Sequence, residues 1–214
     1  MSSLPFTTSW EDALQRLKAG NERFVNGLCS VDSLINRDRL RNLSEQGQKP
    51  FAIILSCSDS RVPAEIVFDQ GIGTLFVIRV AGNIIQPSQL ASIEFAVDAL
   101  RTPLCIVMGH TQCGAIRAAL EIDATGTMPN SPNLCTLMEL ILPAVKEVKK
   151  EIQGDNPERL LHETTLRNVV RMTEAILEKS PLVAGYYGER KIGLIGALFE
   201  IENGRVSFDV GKTA

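Results

Sequence analysis

The sequence predicts an α/β fold with a central, mostly parallel four-stranded sheet, an added antiparallel edge strand, helices on both faces and an N-terminal helical arm. Four apolar runs of strand length are almost uninterrupted, as strands that are covered on both faces require. They lie at 51–57 (FAIILSC), 75–80 (LFVIRV), 104–109 (LCIVMG) and 192–201 (IGLIGALFEI). Helical patterns separate the runs, and such alternation is typical of a parallel sheet.

The other elements follow in chain order. An amphipathic helix is predicted over 10–25 (WEDALQRLKAGNERFV), with Ser9 placed to cap its first turn and Asn26 and Gly27 ending it. The polar stretch 29–50 is predicted to be a loop with a short helix. Later helices are predicted between the apolar runs, at 88–100, 113–122, 134–152 and 157–179, with a turn-rich loop at 123–133. A hairpin turn at 202–205 precedes the short edge strand VSFDV.

Length and composition limit the classes of protein to which the chain can belong. The 214 residues, 44% hydrophobic and 22% charged, fit a single domain over 1–214 with its own core, of which 1–30 form the N-terminal arm. A net charge of -3 gives no reason to expect a nucleic-acid partner. The apolar runs are too short to span a bilayer, and no secretory signal is expected at the N-terminus, so a cytoplasmic location is expected. Five cysteines without a signal favour free, metal-binding or catalytic thiols over disulfides.

Three candidate metal ligands follow the apolar runs. Cys57 ends the first run, His110 follows the third, and Cys113 comes where the next helix should begin. Sites in parallel sheets lie beyond the carboxyl ends of the strands, so these side chains can converge. Zinc binds sulfur and nitrogen tetrahedrally, and three protein ligands leave the fourth position open, as in catalytic sites. The spacing alone leaves open the alternative of two buried thiols and a hydrogen-bonded turn histidine.

An acid and a guanidinium lie close to the first candidate ligand. Cys57, Asp59 and Arg61 occupy alternate positions, so all three point to one side if the chain stays extended. Arginine can hold a carboxylate in a bidentate fork, which keeps the acid ionised and oriented. Taken alone, the pair could equally be a surface ion pair of little energetic value.

Two motifs resemble the signatures of the β-class carbonic anhydrases: CSDSRV at 57–62 and GHTQCGAI at 109–116. The stretch 68–83 (FDQGIGTLFVIRVAGN) is also similar, especially to bacterial members. The resemblance implies a zinc lyase that reversibly hydrates carbon dioxide to bicarbonate and a proton by attack of zinc-bound hydroxide. It implies one Zn²⁺ per chain, bound by Cys57, His110 and Cys113, with Asp59 and Arg61 as the catalytic pair.

The resemblance also implies a substrate pocket and an assembly. Gln48 and the backbone N–H of Gly114 would bind substrate, in an apolar pocket lined by Phe76, Ala81 and Phe95. Members with a regulatory bicarbonate site have Trp at the position of Ile54. The open form, with Asp59 paired to Arg61, is therefore expected. Arg79 nevertheless matches another part of that regulatory site. The family implies homodimers or dimers of dimers, with the N-terminal arm on a neighbouring subunit and the active site at the dimer interface.

Two other functions remain as alternatives. The same zinc scaffold could hydrolyse carbonyl sulfide or carbon disulfide, which are linear like carbon dioxide. A zinc-holding scaffold or a thiol redox protein would instead require a fourth ligand or a Cys57–Cys113 disulfide. Because two thiolates neutralise the charge of zinc, an enzyme of this kind is expected to gain activity through and above neutral pH.

Overall fold

The computed structural model describes residues 5–29, 37–152 and 156–211, and these contain one five-stranded sheet. The strand order is β2-β1-β3-β4-β5, in which the first four strands are parallel and the last is antiparallel to β4. The strands are β1 (Ala52–Ser56), β2 (Leu75–Arg79), β3 (Leu104–His110), β4 (Gly193–Phe199) and β5 (Val206–Val210). The predicted fold class is confirmed, including the antiparallel edge strand after the hairpin turn.

Eight α-helices lie within the described residues. They are α1 (Trp10–Val25), α2 (Arg37–Gln46), α3 (Ala64–Val67), α4 (Pro87–Asp98), α5 (Gly114–Thr125), α6 (Pro132–Glu151), α7 (Pro157–Lys179) and α8 (Pro181–Gly188). The loop predicted at 123–133 was wrong over its first three residues, because α5 continues until Gly126 ends it in a left-handed conformation, and over its last two, because α6 begins at Pro132. The helices α3 and α8 were not predicted. None of the described helices combines the length and the apolar character needed to cross a membrane.

The sheet is covered on both faces, which explains the unbroken apolar runs. Every residue of β1, β3 and β4 is buried. Alternate side chains of β1 enter opposite cores: Ile53 and Leu55 pack with residues of α4–α8, while Ala52 and Ile54 pack with α1 and α3. The strand β2 lies at the edge and is only partly buried. The carboxyl ends of the central strands are therefore held in place by buried packing on both faces of the sheet.

Helix α1 packs on its own chain. The Ser9 hydroxyl accepts a hydrogen bond from the backbone N–H of Asp12 at 3.0 Å, so the predicted cap is confirmed. The buried amide of Asn21 donates to the carbonyls of Val67 at 3.1 Å and Gly204 at 2.8 Å. These bonds tie α1 to the last residue of α3 and to the hairpin. Contact of the N-terminal arm with a neighbouring subunit stays a prediction, and residues 1–4 and 30 of that arm lie outside the described residues.

Gly20 of α1 offers a test of this packing. A Cβ atom there would lie 1.9 Å from the carbonyl oxygen of Phe68, whereas one at Gly185 of α8 would meet nothing within 4 Å. We expect Gly20→Ala to lower the free energy of unfolding by about 1–3 kcal/mol, the usual cost of overpacking. The matched Gly185→Ala variant should raise it by up to about 1 kcal/mol through helix propensity. Urea unfolding at one protein concentration measures both, and equal midpoints would contradict the packing described.

Candidate metal centre

The three predicted ligands meet at one edge of the sheet. Cys57 directly follows β1, His110 is the last residue of β3, and Cys113 is the N-cap residue of α5. The strands β1 and β3 are parallel neighbours, so their carboxyl ends open on the same side. The two sulfur atoms and a ring nitrogen lie within 4.8 Å of one another, and all three residues are buried. Among the described residues, this is the only such group of histidine, cysteine and acidic side chains.

The turn between His110 and Cys113 sets the orientation of the imidazole. Gln112 takes a left-handed conformation with φ 56°, which turns the chain back so that Cys113 faces His110. The Nδ1 atom of His110 lies 2.9 Å from the carbonyl oxygen of Thr111, and because a carbonyl only accepts, Nδ1–H is the donor. The Nε2 atom is buried with no partner among the described residues. An imidazole fixed in this way leaves Nε2 free to bind a metal ion.

The two sulfur atoms share one proton, and a backbone donor faces one of them. The N–H of Gly82 lies 3.4 Å from Cys57 Sγ. Hydrogen bonding from the Cys113 thiol is the main cause that lowers the pKa of Cys57. The same shared proton, followed by burial, raises the pKa of Cys113. One thiolate is thus favoured in the pair and a second is opposed, so a cation is needed to hold both sulfurs ionised. The donor set fits a thiolate-binding metal ion.

Asp59 and Arg61 form the bidentate pair that the sequence predicts. Arg61 Nε donates to Asp59 Oδ1 at 2.9 Å and Nη2 donates to Oδ2 at 2.8 Å. The chain does not stay extended here, which was the condition for strand alternation: it turns, with Val62 N–H bonded to the Asp59 carbonyl at 3.0 Å. Arg61 N–H also donates to Asp59 Oδ1 at 3.0 Å. The turn, rather than strand alternation, brings the two side chains together.

The Asp59 carboxylate stands beside the imidazole. Its Oδ2 atom is 3.9 Å from His110 Nε2. Hydrogen bonds from the Arg61 side chain hold the pKa of Asp59 well below its usual range, so the acid is ionised at neutral pH. Arg61 Nη2 also donates to the carbonyl of Gln112 at 3.2 Å, which links the pair to the turn between the ligands. The carboxylate therefore faces the cluster as an oriented acceptor.

Arg79, at the end of β2, fixes the backbone that carries Cys57 and Asp59. Its Nε atom donates to the Cys57 carbonyl at 3.1 Å, and Nη2 donates to the Asp59 carbonyl at 2.5 Å. Nothing in the sequence pattern assigned Arg79 this positioning role. The signal that could have indicated it is a charged residue inside the otherwise apolar run 75–80.

The predicted pocket residues occupy two places. Gly114 is the exposed first residue of α5 and has open space where a Cβ would lie, directly after Cys113. Ala81 begins the 3-10 turn Ala81–Asn83, which carries the Gly82 N–H. Phe76 on β2 and Phe95 on α4 lie together, with ring centroids 6.3 Å apart, and Phe95 is 53% exposed. Gly114 and Ala81 thus adjoin the ligands, while the two phenyl rings form an apolar surface at the sheet edge.

Gln48 lies away from this cluster. It is exposed and precedes β1, whereas Cys57 follows the other end of the same strand. The five residues of β1 separate the two ends by roughly 13 Å at about 3.3 Å per residue. The structure therefore does not bring Gln48 to the cluster of its own chain, and a contact with substrate would require Gln48 of a second copy.

A family model described as carbonic anhydrase matches residues 52–206, which include the three clustered ligands and the Asp59–Arg61 pair. The chain belongs to the carbonic anhydrase family. Carbonic anhydrase 2 of Mycobacterium tuberculosis is 38% identical over 196 residues, covering 90% of this chain and 89% of the relative. The carbonic anhydrase of Mycolicibacterium smegmatis is 34% identical over 205 residues, covering 94% and 96%.

Solved structures place the chain in the β class of carbonic anhydrases. One of two tetrameric β-carbonic anhydrases from Sordaria macrospora matches with a TM-score of 0.71 and 26% identity, covering 84% of this chain and 89% of that one. The β-carbonic anhydrase CcaA matches with a TM-score of 0.68 and 28% identity, covering 91% and 94%. The predicted family is confirmed, and so is the prediction that the chain is a carbonic anhydrase, a lyase.

Proposed function

We propose that this carbonic anhydrase binds one zinc ion per chain through Cys57, His110 and Cys113 and reversibly hydrates carbon dioxide to bicarbonate and a proton. The observation that carries the proposal is the buried cluster of two sulfurs and an imidazole whose Nε2 atom has no partner among the described residues. Sulfur and nitrogen donors of this number suit a tetrahedral zinc with one open position. The family membership supports carbon dioxide as the substrate.

A zinc ion in this cluster would supply the positive charge that makes water a stronger acid and so a nucleophile. The protein's own groups orient the reaction. Asp59, kept ionised by Arg61, accepts a hydrogen bond from the attacking oxygen and so aims its lone pair at the carbon. The Gly114 N–H, at the positive end of α5, can bind the oxygen on which negative charge develops. Ala81 adjoins the ligands, and Phe76 and Phe95 would give the small apolar molecule a dry place to bind once a partner subunit covers them.

We infer that the site is completed in a homodimer or a dimer of dimers. The exposed position of Gln48, at the opposite end of β1 from Cys57, is what favours this, because the substrate contact proposed for it cannot be made within one chain. The apolar pair of Phe76 and half-exposed Phe95 would be covered by such a partner. A cytoplasmic location belongs to the same proposal.

Stopped-flow carbon dioxide hydration on protein of measured zinc content tests the function. We expect the rate to be proportional to bound zinc, to be lost when a chelator removes the metal, and to return when zinc is added back. Carbonyl sulfide is assayed on the same protein. Full activity in metal-free protein would refute the proposal. Faster turnover of carbonyl sulfide would favour the alternative substrate, to which the relatives named above give no support.

The pH dependence of kcat should reflect the acidity of water at the metal site, and not the ionisation of Asp59. Because hydrogen bonds from Arg61 lower the pKa of Asp59, its carboxylate is already ionised well below neutral pH and cannot limit activity there. The two thiolates of Cys57 and Cys113 offset the charge of the ion, which weakens its effect on the acidity of water. We therefore expect kcat to rise through and above neutral pH. A profile that is flat from mildly acidic pH upward would contradict this charge argument.

A further inference from the structure

A backbone N–H donates to one ligand sulfur across the fold: the N–H of Gly82 lies 3.4 Å from Cys57 Sγ. Gly82 lies 25 residues further along the chain than Cys57. Its position relative to the sulfur must be fixed by contacts with the rest of the fold.

The backbone at Gly82 is held from two sides. Its φ of 68° is left-handed, and a Cβ atom would lie 2.7 Å from Ile141 Cδ1, so this position favours glycine. On the other side, the side-chain amide of Asn168 on α7 donates to the Gly82 carbonyl at 2.9 Å. Asn168 is 1% exposed and 86 residues from Gly82 in the chain. A buried side chain from a distant helix thus holds the carbonyl of the same residue whose N–H bonds the Cys57 sulfur.

The burial of Asn168 has a cost that core packing does not require. Its Oδ1 atom is buried without a hydrogen-bond partner among the residues that the structure describes. A half-satisfied amide is unfavourable inside a protein, and an apolar side chain of similar size would avoid that cost. The bond to the Gly82 carbonyl is the one interaction that an apolar residue could not provide.

We propose that Asn168 is a positioning residue for the metal centre: by holding Gly82, it keeps the Gly82 N–H on the Cys57 thiolate. The inference rests on the metal binding of the proposed function. An N–H that bonds a ligand sulfur lowers the energy of the sulfur lone pair and fixes its direction, and groups behind a ligand often change metal affinity about 10- to 100-fold. Asn168 would therefore act on how the centre holds its metal, without touching the substrate.

Asn168→Leu removes the donor and keeps the number and branching of the side-chain heavy atoms. Thr164→Val, one turn earlier on α7, is the matched control, because Thr164 is equally buried and its hydroxyl has no partner among the described residues. We expect zinc to leave Asn168→Leu about tenfold faster in the presence of a chelator. In the cobalt-substituted variant, the thiolate-to-cobalt absorption band should move to longer wavelength. Thr164→Val should match the wild type in both measurements.

The outcomes distinguish this inference from the proposed function. If the wild type binds neither zinc nor cobalt, the proposed function fails. If the wild type binds both and Asn168→Leu matches Thr164→Val in band and release rate, the inference is overturned, even if Asn168→Leu unfolds more easily. Should Asn168→Leu not fold, the smaller Asn168→Ser replaces it under the same criteria. In wild-type protein loaded with cadmium-113, the Gly82 amide proton should couple to the metal, and absence of that coupling also overturns the inference.

Discussion

Replacement of Cys57 by Ser is expected to lower the carbon dioxide hydration rate at least about a thousandfold and to leave the purified protein short of zinc. Loss of a group that hydrogen-bonds a metal ligand lowers metal affinity or activity about 10- to 100-fold, so loss of a ligand itself should lower them further. A serine hydroxyl ionises far less readily than a thiol, and the remaining His110 and Cys113 cannot enclose the ion alone. Zinc content and stopped-flow rates on the same preparation measure both effects.

The matched control for this substitution is Cys105→Ala. Cys105 is another buried cysteine, on β3, and burial raises its pKa to about 12, so it stays a neutral thiol that packs as a small apolar side chain. We expect Cys105→Ala to keep its zinc and its rate, with only a loss of stability from the small cavity. A Cys57→Ser protein with full zinc and full activity would show that the cluster is not the catalytic centre.

The fold was predictable because burial on both faces leaves a mark in the sequence. The central strands β1, β3 and β4 have no exposed residue, so their apolar runs are continuous and easily read. The short helices α3 and α8 were not predicted because their sequences show no amphipathic pattern. A four-residue helix such as α3 is one turn long and shows no period, and α8 is apolar around its whole circumference, so neither displays an amphipathic stripe.

The metal ligands could also be predicted, because the carboxyl ends of adjacent parallel strands always meet at one edge. The groups that orient them could not. Asn168 lies in the long helix α7, where nothing in the pattern separates it from an ordinary buried residue, and its role depends on a contact with Gly82. The placement of Gln48 depends on assembly, which no pattern within one chain encodes. Residues that act through tertiary or quaternary contacts are therefore the ones that sequence reasoning misses.

Asp59→Asn is expected to separate zinc binding from catalysis. We expect a fall in kcat of about a hundredfold, in the range for a group that directs a proton in the transition state. The amide has only one oxygen that can accept a hydrogen bond. Its NH2 group can turn towards the attacking oxygen and misdirect it. Zinc content should stay at the wild-type level, because Asp59 is engaged by Arg61 and is not one of the three clustered ligands.

The chain offers a second aspartate–arginine pair as the control for this prediction. Asp69 is bound by Arg23 at 2.5 Å between Nε and Oδ2, and its side chain is buried, but it joins α1 to the segment after α3. Asp69→Asn should therefore lower the free energy of unfolding and leave kcat and zinc content unchanged. If both substitutions reduce kcat equally, the Asp59 effect is one of general stability. If only Asp59→Asn does so at full zinc occupancy, the carboxylate beside His110 acts on the reacting molecule itself.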